Sequence, residues 1–154
     1  MTVTFIGHSD AILSDKIKKD IRAFLASIVI SEESTEFLCG GMGNFDSFAA
    51  SVCGELKTIY NGISVAYVTP YITIDQQKKT DELLKSGVYD EAIYPPIEDT
   101  PLRFAISKRN EWMIENSDLV IAFVNRSYGG AYKSLGYAIR GGKKIINFAE
   151  ADKQ

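Results

Sequence analysis

Apolar residues recur along this chain with two alternating periods. The runs 3–6, 35–39, 63–68 and 119–124 are largely apolar, while the stretches between them place apolar side chains three and four positions apart. Over 14–29 these are Ile17, Ile21, Phe24 and Ile28; over 44–60 they are Phe45, Phe48, Ala49, Val52, Leu56 and Ile59. Short apolar runs bounded by turn residues predict buried strands, and the three–four spacing predicts amphipathic helices. The expected strands are 3–6, 35–39, 63–68, 91–94, 119–124 and 144–148. The expected helices are 14–29, 44–60, 75–86, 103–116 and 127–140, with a loop over 95–101 where three prolines fall. Leu119-Val-Ile-Ala-Phe-Val124 has no polar position, as a strand covered on both faces requires. Alternating strands and helices predict parallel pairing through right-handed crossovers. The expected fold is α/β, a Rossmann-like doubly wound, mainly parallel sheet with helices on both faces, formed by one domain over 1–154.

Ligands in such sheets bind beyond the carboxyl ends of the strands. Those ends are Gly7-His8-Ser9, Gly40-Gly41-Met42-Gly43, Thr69-Pro70 and Asn125-Arg126-Ser127. Cys39-Gly-Gly-Met-Gly-Asn-Phe-Asp46 reads as strand, glycine-rich turn and helix start, and Gly129-Gly130 open a second helix after a second apolar strand. Helix N-termini carry unpaired N–H groups, and glycine lets an anion approach them. A phosphate is therefore expected on the amides of Gly41, Met42, Gly43 and Asn44 and on those of Gly129, Gly130 and Ala131. The first turn departs from the dinucleotide fingerprint, because Asp46 stands where the third glycine belongs and the turn follows the second strand. Asp46 either complements its helix or binds a ribose hydroxyl.

Arg109 falls on a stripe with Ala105, Trp112 and Met113. A charge on an apolar stripe needs a partner, and a guanidinium suits phosphate or carboxylate. The alternatives are an internal salt bridge or a stem that carries the charge out to water. Gly7 and His8 at the first strand's end, Gly40 in the first turn, and Thr69 and Asn125 beside a base or ribose complete the candidate ligand-binding set.

Net charge is −3, which gives no general attraction to nucleic acid or an anionic membrane, so neither is an expected partner. Lys16, Lys18, Lys19 and Arg22 interleave with Ile17 and Ile21 and read as a solvated helix face. Residues 1–6 reach Gly7 without a basic segment or a long apolar one, so no signal peptide is expected. Cys39 and Cys53 suit a reducing cytoplasm as free thiols, poorly placed to bridge. One histidine and two cysteines are too few for a metal site. His8-Ser9-Asp10 holds triad residue types, but consecutive residues do not converge as nucleophile, base and orienter must. No catalytic residue is assigned, and the one cofactor-like occupant expected is a bound nucleotide or phosphate.

Together, Cys39–Asp46, Arg109-Asn-Glu-Trp-Met-Ile-Glu-Asn-Ser-Asp118 with the strand behind it, and Gly129-Gly-Ala-Tyr-Lys-Ser-Leu-Gly-Tyr-Ala138 resemble the SLOG superfamily. That group joins the Smf/DprA proteins with the LOG, or lysine-decarboxylase-like, phosphoribohydrolases, and the likeness is nearest to its small YpsA-like bacterial branch. The resemblance implies a Rossmann-like fold that binds a nucleotide-derived ligand, and a dimer. LOG enzymes cleave the N-glycosidic bond of nucleoside 5′-monophosphates. Against their pattern, Arg109 matches the arginine and Gly129-Gly130 the glycine pair. Asn110 stands for the lysine, Tyr128 for a proline, Tyr132 and Lys133 for Gly-Thr, and Leu135-Gly136 occupy the region of the acidic residues. No acid lies between Asp118 and Glu150, so the carboxylate that would steady an oxocarbenium-like centre is missing there. Asp46 or Glu111 is left to replace it. The expected function is a nucleotide or nucleotide-sugar sensor or carrier. A nucleoside monophosphate N-glycosidase is the first alternative, and an interaction module that binds no ligand the second.

Overall fold

The computed structural model describes residues 1–149; the last five positions of the expected 1–154 domain lie outside them. Six strands, β1 (Thr2–Gly7), β2 (Thr35–Cys39), β3 (Ile63–Val68), β4 (Glu91–Ile93), β5 (Leu119–Phe123) and β6 (Lys144–Asn147), form one sheet in the order β4-β3-β2-β1-β5-β6. Every pairing is parallel. The helices are α1 (Asp15–Ser31), α2 (Gly43–Ile59), α3 (Ile74–Lys85), α4 (Ala105–Glu115) and α5 (Gly130–Arg140). This is the doubly wound α/β sheet that the alternating periods require. Two helix starts differ from expectation by more than one residue. A 3-10 turn (Leu102–Phe104) precedes α4, and α5 begins at Gly130. The segment 124–129 is loop because Gly129 takes φ 91°, ψ 176°, a conformation closed to other residues and incompatible with helix.

Two of the helices begin at a side-chain cap. Ser14 caps α1 by accepting from the Ile17 N–H at 3.2 Å, and Thr73 caps α3 by accepting from the Gln76 N–H at 3.2 Å. The strands alternate their side chains between two cores. On one face Val3, Phe5, Phe37, Val65, Tyr67 and Ile121 meet the buried stripes of α1 and α2. On the other, Ile6, Val120, Ala122 and Val124 meet Ile114 of α4 and Ala138 of α5, while Leu38, Ala66 and Val68 meet Met113 of α4. Cys39 and Cys53 are free and buried. Burial, and then the neighbouring Cys39, push the Cys53 thiol up.

Chain order runs from β1 leftward to β4 and then from β5 outward to β6, so the winding reverses between β1 and β5. That is where the carboxyl ends splay and leave a crevice. The β1–α1 loop docks onto the start of α2 beside it. The Asn44 N–H donates to the Ser9 carbonyl at 2.9 Å, and a Cβ on Gly43 (φ 87°) would stand 2.4 Å from Ser9 Cα. Gly43→Ala is therefore expected to lower the unfolding free energy by about 2–4 kcal/mol, through backbone strain and lost loop docking. Urea denaturation checks this; a loss under about 1 kcal/mol would show that the loop undocks freely.

Candidate functional site

A cleft of about 220 Å3 opens at the β1/β5 reversal. Its floor is β1, through Thr4, Ile6 and Gly7; its walls are α4, through Arg109 and Met113, and α5, through Gly130, Ala131 and Ser134. His8, Met42, Asp46 and Arg126 also line it. The glycine-rich turn after β2 and the glycine pair after β5 thus flank a common opening, one on each side of β1.

The two turns differ in what they offer. At the start of α2 the protein supplies its own acceptors: the Met42 N–H donates to Asp46 Oδ2 at 3.1 Å and the Asn44 N–H to the Ser9 carbonyl at 2.9 Å. The expectation of a phosphate on the amides from Gly41 to Asn44 is corrected accordingly, since a carboxylate and a carbonyl hold two of them. Gly40, Gly41, Gly43 and Asn44 do not line the cleft; a Cβ on Gly41 would meet the Tyr67 ring at 2.7 Å. At α5 no side chain caps the helix and its first turn holds no acid. Its opening amides are those an α-helix leaves without internal partners, and beside them a Cβ on Gly130 would meet nothing within 4 Å.

Arg109 is 1% exposed. Neither a salt bridge nor an escape to water holds it. Nη1 donates to the Val68 carbonyl at 2.6 Å and the Gly40 carbonyl at 3.0 Å, and Nε donates to Asn110 Oδ1 at 2.9 Å. Its Nη2 lies 3.6 Å from Met42 Sδ. Arg109 therefore ties the carboxyl ends of β2 and β3 to α4 while lining the cleft. Burial lowers its pKa, and Asp46 opposes that shift. A Cβ on Gly40 would stand 3.2 Å from both Arg109 Cζ and Asp46 Oδ2, so the two groups approach each other over the face of Gly40 that lacks a side chain. The Asp46 carboxyl is pushed up to about 6, chiefly by burial, with the Met42 N–H and the Arg109 charge pulling the other way.

His8 is 3% exposed, and its Nε2 accepts from the Asn125 N–H at 3.2 Å, a bond only the neutral ring makes at that nitrogen. Burial, and then the neighbouring Arg126 charge, lower its pKa. His8 thus pins the end of β1 to the end of β5 across the reversal. Asn125 serves that bond and lies outside the lining, as do Gly129 and Thr69. Thr69 Oγ1 donates to the Tyr71 carbonyl at 3.0 Å and accepts from the Tyr71 N–H at 3.3 Å. Of the expected set, Gly7, His8, Met42, Asp46, Arg109, Gly130 and Ala131 converge. Glu111 does not line the cleft and pairs with Lys108 at 3.2 Å. Arg126, Ser134 and Asn110 are lining residues that periodicity did not single out. For Arg126 the one available signal was its place at a strand's carboxyl end.

The family model described as the YspA SLOG family (YpsA) matches residues 6–145. The chain belongs to the YpsA family of SLOG proteins. It is 26% identical over 137 residues to the SPbeta prophage-derived protein YoqJ of Bacillus subtilis (strain 168), covering 80% of each chain. Among solved structures, DNA processing protein A of Helicobacter pylori, studied for its single-stranded DNA binding, superposes with a TM-score of 0.62 at 15% identity. That match covers 94% of this chain and 63% of the other, so this SLOG chain spans less than two thirds of that relative. The molybdenum cofactor carrier protein of Chlamydomonas reinhardtii superposes with a TM-score of 0.58 at 12% identity, covering 95% of this chain and 74% of that one. At these identities the structural likeness establishes the fold. Among the described residues no helix is long and apolar enough to cross a membrane, and no group of three or more His, Cys, Asp or Glu is placed to hold a metal ion.

Proposed function

We propose that this YpsA-family protein is a cytoplasmic nucleotide- or nucleotide-sugar-binding protein, a sensor or carrier that holds its ligand by the phosphate in the cleft between α4 and α5. The observation that carries this reading is the uncapped N-terminus of α5, opening onto a cleft walled by a buried arginine. Helix dipole, free amides and guanidinium all favour an anion there. The cleft's volume is below that of sites enclosing a whole drug-sized molecule. It takes a phosphate and part of a sugar, with Asp46 placed for a sugar hydroxyl and the base left at the mouth. A carrier role is in keeping with the cofactor carrier among the fold neighbours.

Two measurements test this. Native mass spectrometry of freshly purified protein is expected to show a retained nucleotide-like mass, together with the subunit count of the expected dimer. Calorimetry with AMP is expected to show binding that Gly130→Val weakens by about tenfold. The melting temperature should change by less than about 3 °C, because the added side chain enters open space at the first helical position. No retained ligand, together with no AMP or phosphate binding, would leave the ligand-free interaction module as the better reading.

Asp46 supports a second reading, an N-glycosidase. Asp46 lines the cleft, and burial pushes its carboxyl up to about 6, toward the range where an acid–base group is most effective. Release of free adenine from AMP, abolished in Asp46→Asn, selects the enzyme; AMP bound and recovered intact selects the carrier.

A further inference from the structure

Arg126 lines the cleft and follows β5 directly after Asn125. A guanidinium has two kinds of donating edge: end-on, between its terminal nitrogens, and side-on, from Nε with one terminal nitrogen. In Arg126 the end-on edge is taken. Nη1 donates to Asp10 Oδ2 at 3.1 Å and Nη2 to Asp10 Oδ1 at 2.9 Å. Its Cζ lies over the Tyr128 ring, 5.0 Å from the centroid. These two contacts orient the guanidinium, although its pair with Asp10 is partly exposed. Its Nε–H is buried and has no hydrogen-bond acceptor among the described residues. Leaving such a donor unpaired costs about 1–3 kcal/mol, a penalty that a ligand oxygen would remove once a small turn of the side chain uncovers the Nε edge. Asp10 is not among the lining residues. Arg109, in contrast, has given Nη1 to two carbonyls and Nε to Asn110.

We propose that Arg126 is the principal anion-binding side chain of this cleft: its Nε edge takes a phosphate oxygen of the ligand side-on, opposite the α5 amides, while Asp10 is a positioning residue that holds the guanidinium from outside. The assignment rests on the phosphate-binding function proposed above and names the side chain that reads the phosphate. It also places selectivity in the fork rather than in charge alone, since lysine brings the charge without the paired donors.

The test compares wild type, Arg126→Ala and Arg126→Lys by calorimetry with AMP and with adenosine. The same proteins are followed through the arginine Nε–H resonances in a 1H–15N spectrum. Both variants are expected to lose about tenfold or more in AMP affinity while adenosine binding changes less than about twofold. The Arg126 Nε–H resonance of the wild type is expected to shift on addition of AMP or inorganic phosphate. The partly exposed pair with Asp10 adds little to stability, so both variants should fold. AMP binding at wild-type strength in Arg126→Lys, or an Nε–H resonance unmoved at saturating AMP, would overturn the assignment and leave the cleft's function standing. A wild type that binds neither AMP nor phosphate would overturn both.

Discussion

Arg109→Ala is expected to lower the unfolding free energy by about 3–5 kcal/mol, the largest loss of any single change considered for this protein. The side chain is the largest among the fully buried ones, and its Nη1 serves the Gly40 and Val68 carbonyls together. Truncation leaves two carbonyls at the ends of β2 and β3 without their charge-assisted donor and opens a cavity beneath α4. Each unpaired acceptor costs about 1–3 kcal/mol, and the cavity adds to that. Arg109→Lys keeps the charge but not the fork, and is expected to recover less than half of the loss. Chemical denaturation of the three proteins checks this; a loss below about 1 kcal/mol in Arg109→Ala would mean that water replaces the guanidinium and that the β2–β3 tie is dispensable. Because the variant is destabilised, any effect on AMP binding is best read below its melting transition. Unchanged affinity there would remove Arg109 from the ligand site.

Asp46→Asn is expected to act in the opposite direction, and with a pH signature. The folded protein holds the Asp46 proton more tightly than the unfolded chain does, with a pKa of about 6 against 3.8. Its contribution to stability is complete below pH 3.8 and is lost as pH rises through about 6. The loss is on the order of 3 kcal/mol at most, since the side chain keeps some exposure. Asparagine retains an acceptor for the Met42 N–H and deletes the charge. At pH 8 the variant should therefore be more stable than wild type by about 2–3 kcal/mol, and at pH 4 nearly equal to it. His8 has the opposite sign. Its pKa is lowered, so its contribution is complete above pH 6.5 and falls away as pH drops through the folded-state value. The two trends oppose one another in the wild type. In Asp46→Asn only the histidine trend remains near pH 6, and stability should climb from pH 5 to pH 7. Urea denaturation across pH 4–8 checks this; a gap between variant and wild type that does not widen with pH would show that Asp46 is charged and solvated throughout.

The candidate site was legible at the level of segments. Strand ends and glycine turns are local signals, and Gly7, His8, Gly130 and Ala131 do line the cleft they pointed to. The apolar stripe of α4 correctly marked Arg109 as buried. It could not say that backbone carbonyls 69 and 41 residues away would be its partners. The glycines after β2 illustrate the same limit. A glycine that admits a phosphate and a glycine that admits the Ser9 backbone look identical in sequence, because both merely lack a Cβ. The contact is made across a separation of some thirty residues. Arg126 carried one local mark, its place at a strand's carboxyl end: it sits in a loop without periodicity, and its value lies in Asp10, Tyr128 and an unpaired Nε–H brought together by the pairing of β1 with β5.

By itself the sequence determined the class of fold, the order of its elements and the edge of the sheet where a ligand would approach, because hydrophobic period and turn chemistry act over a few residues. The tertiary structure alone decided which of two similar glycine turns stays open, which arginine is spent on the protein's own carbonyls and which keeps a donor free. The reason is physical: hydrogen-bond donors are claimed by whichever acceptors the fold brings within about 3 Å, and parallel pairing of strands distant in sequence sets those neighbours.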